Sequence, residues 1–103
     1  MAKDSITSVY VIGRRGGPCK IGMSADPMKR LSSVQTCCAE AVEVWGYCSF
    51  PNRDMARRFE GAAHKALADR RLSGEWFDVE PEAAIMAIER APGYYESFVE
   101  EDA

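Results

Sequence analysis

Nowhere in this chain do apolar residues run far enough to span a bilayer, and nothing at its start has the basic-then-apolar pattern of a secretion leader. No membrane role is expected, and the expected location is the cytoplasm, or the nucleus of a host that has one. Paired metal-binding thiols are missing too. Cys19, Cys37, Cys38 and Cys48 include no C-x-x-C spacing, and His64 is the only histidine, so a zinc site is not expected. Cys37 and Cys38 are adjacent, an awkward geometry for a mutual bridge. All four cysteines are expected as reduced thiols with packing or surface roles. Internal repeats and linker-like stretches are also lacking, which leaves one domain.

The 103 residues are 47% apolar and 28% charged, enough to bury a core without disulfides or metal as staples. The domain is expected over residues 1–93, with 94–103 as an acidic C-terminal tail. A net charge of −3 conceals an asymmetry: residues 1–71 hold 12 Lys/Arg against 7 Asp/Glu, and residues 72–103 hold 1 against 9. A polyanion is drawn to the first part and repelled by the second. The acidic part also serves simply to keep the chain solvated, so charge alone leaves both readings open.

Hydrophobic patterning sets out the elements. Ile6 to Ile12 is rich in β-branched residues and reads as a strand. Gly13 to Pro18 turns the chain, presenting Arg14 and Arg15, and Cys19 to Met23 returns as the partner strand. Asp26-Pro27 announces a helix, with Asp as cap, Pro in the first helical position, and Pro27, Leu31 and Val34 as the buried stripe. Val42 to Phe50 alternates as a third strand, with Val42, Val44, Cys48 and Phe50 on one face and a bend expected at Gly46. Asp54 to Arg71 reads as the longest helix, capped by Asp54, with Met55, Phe59, Ala62, Ala63 and Ala66 as its apolar face. At about 100° per residue, Glu60, His64, Arg57 and Arg71 fall on one flank of it. Trp76 and Phe77 follow in a short segment read as core or edge packing, and Glu80-Pro81 opens a last helix with Ile85 and Ile88 inward. The order fits an α+β fold: a small antiparallel sheet flanked by helices.

Short motifs then stand in sequence: S-V-Y-V-I, K-I-G starting ten residues after Tyr10, D-P-M-K-R with Arg30 ten residues after Lys20, and F-E-x-x-x-H-K-A-L followed by G-E-W-F. Together they resemble the GIY-YIG nuclease superfamily over roughly residues 6–90, and in particular a compact phage and bacterial branch with K-I-G in place of Y-I-G. The resemblance implies a three-stranded antiparallel sheet with flanking helices, and metal-dependent hydrolysis of DNA with Mg²⁺ or Mn²⁺. A stand-alone domain of this kind is expected to need DNA as partner and, for targeting, a partner protein.

Residue by residue, the resemblance makes Tyr10 the tyrosine that helps deprotonate the attacking water. An unaided phenol has a pKa near ~10 and is a poor base at neutral pH, so it would need a nearby cation. Lys20 takes the place of the second motif's tyrosine and supplies that cation or a phosphate contact. Gly22 is the motif's structural glycine. Arg30 matches the catalytic arginine, whose guanidinium can hold two phosphate oxygens at once. Glu60 matches the metal-binding glutamate; Mg²⁺ is often held by only one or two carboxylates, with waters and phosphate completing its shell. His64, one turn later, is a proton relay, a backbone contact or a plain surface histidine. Arg14, Arg15 and Arg57 are candidate phosphate contacts. The chain has S-V-Y for G-I-Y and no asparagine after Asn52, where many members carry one. An alternative function is therefore a decayed domain that binds DNA or protein without cutting.

Overall fold

The computed structural model describes residues 6–96. Five strands form one sheet: β1 (Thr7–Gly13), β2 (Cys19–Ser24), β3 (Glu43–Phe50), β4 (Arg71–Ser73) and β5 (Trp76–Phe77), in the order β3-β1-β2-β5-β4. Every pairing is antiparallel. The three helices are α1 (Pro27–Thr36), α2 (Arg53–Ala66) and α3 (Pro81–Glu89). The α+β expectation stands, but the expected three strands are five. The two extra strands hold three and two residues, too few for a period-2 pattern to register. They form because Ser73-Gly74 turns the chain back, with Gly74 at φ +54°, a conformation that costs glycine nothing.

β1 is buried along its whole length because helices cover both faces of the sheet. On one face, Tyr10 and Ile12 pack with Val34 and Leu31 of α1. On the other, Val9 and Val11 join Phe59 and Ala63 of α2 and Ala84 and Ile88 of α3. Phe50 and Phe59 stack at 4.8 Å between ring centroids, tying β3 to α2. Past the last helix, Tyr94 meets Phe59 edge-on at 6.0 Å; residues 97–103 of the expected tail, like the first five, lie outside the described residues.

Two expected patterns need correction. In β3, Val11 pairs with Gly46 and Ile12 with Val44, so Trp45 bulges out of register. The bulge falls beside the expected bend and switches faces: Val42 and Val44 pack on the α1 side, whereas Cys48 and Phe50 pack on the α2 side. The long helix is also shorter than its sequence suggested. It ends at Ala66, a 3₁₀ turn spans Ala68–Arg70, and Arg71 begins β4. Arg71 therefore leaves the flank shared by Glu60 and His64.

Helix starts were legible with one exception. Asp26 caps α1 by accepting from the Lys29 amide, and Pro27 stands first in the helix. In α2 the cap is Asn52, which accepts from the Met55 amide at 2.9 Å. The expected cap, Asp54, instead lies in the first turn, 3.6 Å from Arg57.

Candidate functional site

Strand β2 lies between β1 and β5, but β5 is so short that it pairs only with Cys19 and Lys20. Beyond them the Ile21 amide still reaches the Glu75 carbonyl at 3.0 Å. The next acceptor, the Ile21 carbonyl, is taken by His64 Nε2 from α2 at 2.8 Å. A carbonyl can only accept, so Nε2 carries the hydrogen and Nδ1 is the nitrogen left to bind a proton. His64 thus finishes the sheet edge where the last strand stops. Its ring also rests against Phe77, with centroids 5.0 Å apart.

That edge collects ionisable groups from five elements. Tyr10 faces Gly22 across the β1–β2 pair. A Cβ on Gly22 would collide with the Tyr10 phenol and lie 2.8 Å from Glu75 Oε1. The missing side chain is what lets both oxygens converge there. Lys20 Nζ meets Glu75 Oε1 at 3.0 Å, with only 19% of the lysine side chain exposed. Glu60, on α2 one turn before His64, lies close enough to the Glu75 carboxyl for the two to act on each other. Its Oε2 is buried with no hydrogen-bond partner among the described residues. Arg30, exposed in the first turns of α1, is close enough to act on the Tyr10 phenol.

The electrostatics follow from this crowding. Burial pushes the Tyr10 phenol up to about 12, Glu75 and Glu60 push the same way, and Arg30 opposes them. Burial also raises the Glu60 carboxyl above the usual range; Glu75 adds to the rise, while His64 and Arg57 pull against it. Two carboxyls and a neutral phenol therefore share a small space with Lys20 and Arg30 at its rim. Such a space favours a bound cation among the carboxylates and a phosphate against Lys20 and Arg30. Lys20 and Arg30 also border a cleft of about 420 Å³, walled by Ser33, Val34 and Trp76.

The structure brings Tyr10, Lys20, Gly22, Arg30, Glu60 and His64 together. It does not bring in the hairpin arginines. Arg14 and Arg15 sit at the turn, roughly 13 Å along the strand from Tyr10 at about 3.3 Å per residue, and Arg14 is ion-paired with Glu40. Arg57 flanks Glu60 on α2 but is exposed and engaged with Asp54. Glu75 was missed in the sequence. It stands in G-E-W-F, where the two aromatics drew the reading toward packing, and a single carboxylate after a turn has no periodicity to mark it. Among the described residues no group of three or more His, Cys, Asp or Glu could hold a metal, so a cation here would rest on the Glu60–Glu75 pair.

A family model described as the T5orf172 domain matches residues 7–91, and families of this kind are phage-associated and of nuclease type. No curated protein and no solved structure matches the chain.

Proposed function

This chain belongs to the T5orf172 domain family, and from that premise we propose that it is a GIY-YIG-like endonuclease hydrolysing DNA phosphodiester bonds with Mg²⁺ or Mn²⁺. The observation that carries the reading is the convergence at one sheet edge of Tyr10, Lys20, Arg30 and Glu60, the residues the motif resemblance singles out. A divalent metal fits the residues present. The buried, unpartnered Oε2 of Glu60 is an acceptor in want of a cation, and a hard cation with oxygen ligands suits carboxylates.

Glu60 would hold the ion, which when bound neutralises phosphate charge and stabilises the departing oxygen. Arg30 grips the scissile phosphate through its fork of N–H donors, a grip that strengthens as charge builds on the phosphate oxygens. Lys20 adds a point charge beside it. Tyr10, neutral with its pKa near 12, orients the attacking water through its hydroxyl rather than removing the proton outright. His64 Nδ1 is the ring nitrogen left to take that proton, its tautomer fixed by the Ile21 carbonyl. The cleft beside Lys20 and Arg30 admits the strand.

The test is cleavage of supercoiled plasmid by wild-type and Glu60→Ala proteins with Mg²⁺, Mn²⁺ or EDTA. Nicking or linearisation that requires metal and disappears in the variant is the expected result. Equal cutting by Glu60→Ala would remove Glu60 from the site, and metal-independent cutting would remove the metal.

A further inference from the structure

The carboxylate of Glu75 has a place in the site that the motifs do not account for. It lies close enough to Glu60 for the two carboxyls to act on each other, its Oε1 lies 3.0 Å from Lys20 Nζ, and the same oxygen closes one side of the space left by the bare Cα of Gly22. Tyr10 Oη closes the other side. Two carboxylates this near each other favour a shared proton or cation. Lys20 is paired with Glu75, and among the described residues Glu60 Oε2 is left buried without a partner.

We propose that Glu75 is a second ligand for the divalent metal, binding it jointly with Glu60, and that the Lys20 ammonium holds the place of that metal on Glu75 while the site is empty. This rests on the metal-dependent reading above and deepens it. Two carboxylates with the remaining positions filled by water and phosphate oxygens match what Mg²⁺ and Mn²⁺ accept. When the ion arrives, Glu75 exchanges the ammonium for it, and Lys20 is released toward the cleft, where an incoming phosphate needs a cation. Loading the metal and freeing the phosphate-binding lysine become one event. Glu75 lies where Lys20 and Glu60 can both reach it because Gly74 turns the chain and the Ile21 amide holds the Glu75 carbonyl.

The test is Mn²⁺ binding to the DNA-free protein, followed by electron paramagnetic resonance of the free ion, for wild type, Glu60→Gln, Glu75→Gln and Lys20→Ala, with Glu82→Gln on exposed α3 surface as control. Thermal unfolding is recorded for each. Wild type is expected to bind one ion, and Glu60→Gln and Glu75→Gln each to weaken binding by about tenfold or more. Lys20→Ala is expected to tighten it by a few-fold, because the competitor for Glu75 is gone. That opposite sign is not produced by a carboxylate that only supports the fold. Unchanged binding in Glu75→Gln with weakened binding in Glu60→Gln would overturn this proposal and leave the nuclease reading standing. Absence of saturable Mn²⁺ binding in folded wild type would overturn both.

Discussion

Gly22 is where one missing methyl decides the site. A side chain there would run into the Tyr10 ring, whose Cζ lies 2.7 Å from the would-be Cβ, and into Glu75. Gly22→Ala is expected to destabilise the fold by about 1–3 kcal/mol through overpacking and to abolish cleavage; calorimetry and the plasmid assay read the two effects separately. Arg30 presents the contrasting case. It is exposed, so Arg30→Ala should leave the unfolding midpoint unchanged while cleavage falls by roughly 10²–10³-fold, the scale for losing a donor to developing charge. Lysine at this position restores charge without the fork and should recover little. The cysteines give a third check. Burial pushes the Cys19 thiol up to about 11, so it stays protonated near neutral pH and out of reach. Cys37 is exposed and Cys38 and Cys48 are partly so. Timed maleimide labelling should modify Cys37 first and Cys19 only on unfolding.

Among the elements, those whose ends carry chemical punctuation were legible and those without it were not. Asp26-Pro27 fixed the start of α1, and the β-branched run fixed β1. Helix α2 overran in the reading because Leu67 to Arg71 continues its residue types, and only the 3₁₀ turn, a tertiary outcome, breaks it. The bulge at Trp45 was half legible: Gly46 marked the place, but a one-residue slip of face cannot be read from alternation that continues on both sides. Strands β4 and β5 exist because β2 had a free edge to pair with, which no local window contains. Their turn is accordingly a sensitive point. Gly74→Ala, at φ +54°, is expected to cost about 1 kcal/mol and to lower cleavage more than this suggests, because Glu75 is the next residue. Asn52→Ala, which removes the α2 cap, should cost about 1 kcal/mol without that disproportion. Comparing the two variants' midpoints and rates separates support of the fold from support of the site.

At the scale of the whole molecule, burial of acids that ionise only at high pH sets an alkaline limit. The Cys19 thiol moves from 9.0 to about 11 and the Tyr10 phenol from 10.0 to about 12. In both, the folded state favours the neutral form, so the unfolded chain ionises first and stability drains away as pH rises from about 9 to about 12. Below pH 9 the two groups add no slope. Unfolding midpoints measured from pH 8 to 11 should fall progressively, and Cys19→Ala should flatten the onset. Charge asymmetry has its own consequence: Lys20 and Arg30 lie in a chain of net charge −3, so DNA affinity is expected to fall with salt, with the shallow slope of a few phosphate contacts.

The groups of the site come from β1, β2, α1, α2 and the turn before β5. Read in the order of synthesis, they emerge far apart in time, and Glu75 comes last. A chain interrupted on the ribosome before Trp76 and Phe77 can pair with β2 holds every earlier motif and still lacks the edge on which they meet. On the proposed reading, the capacity to cut is thereby withheld from unfinished copies until the last strand pairs.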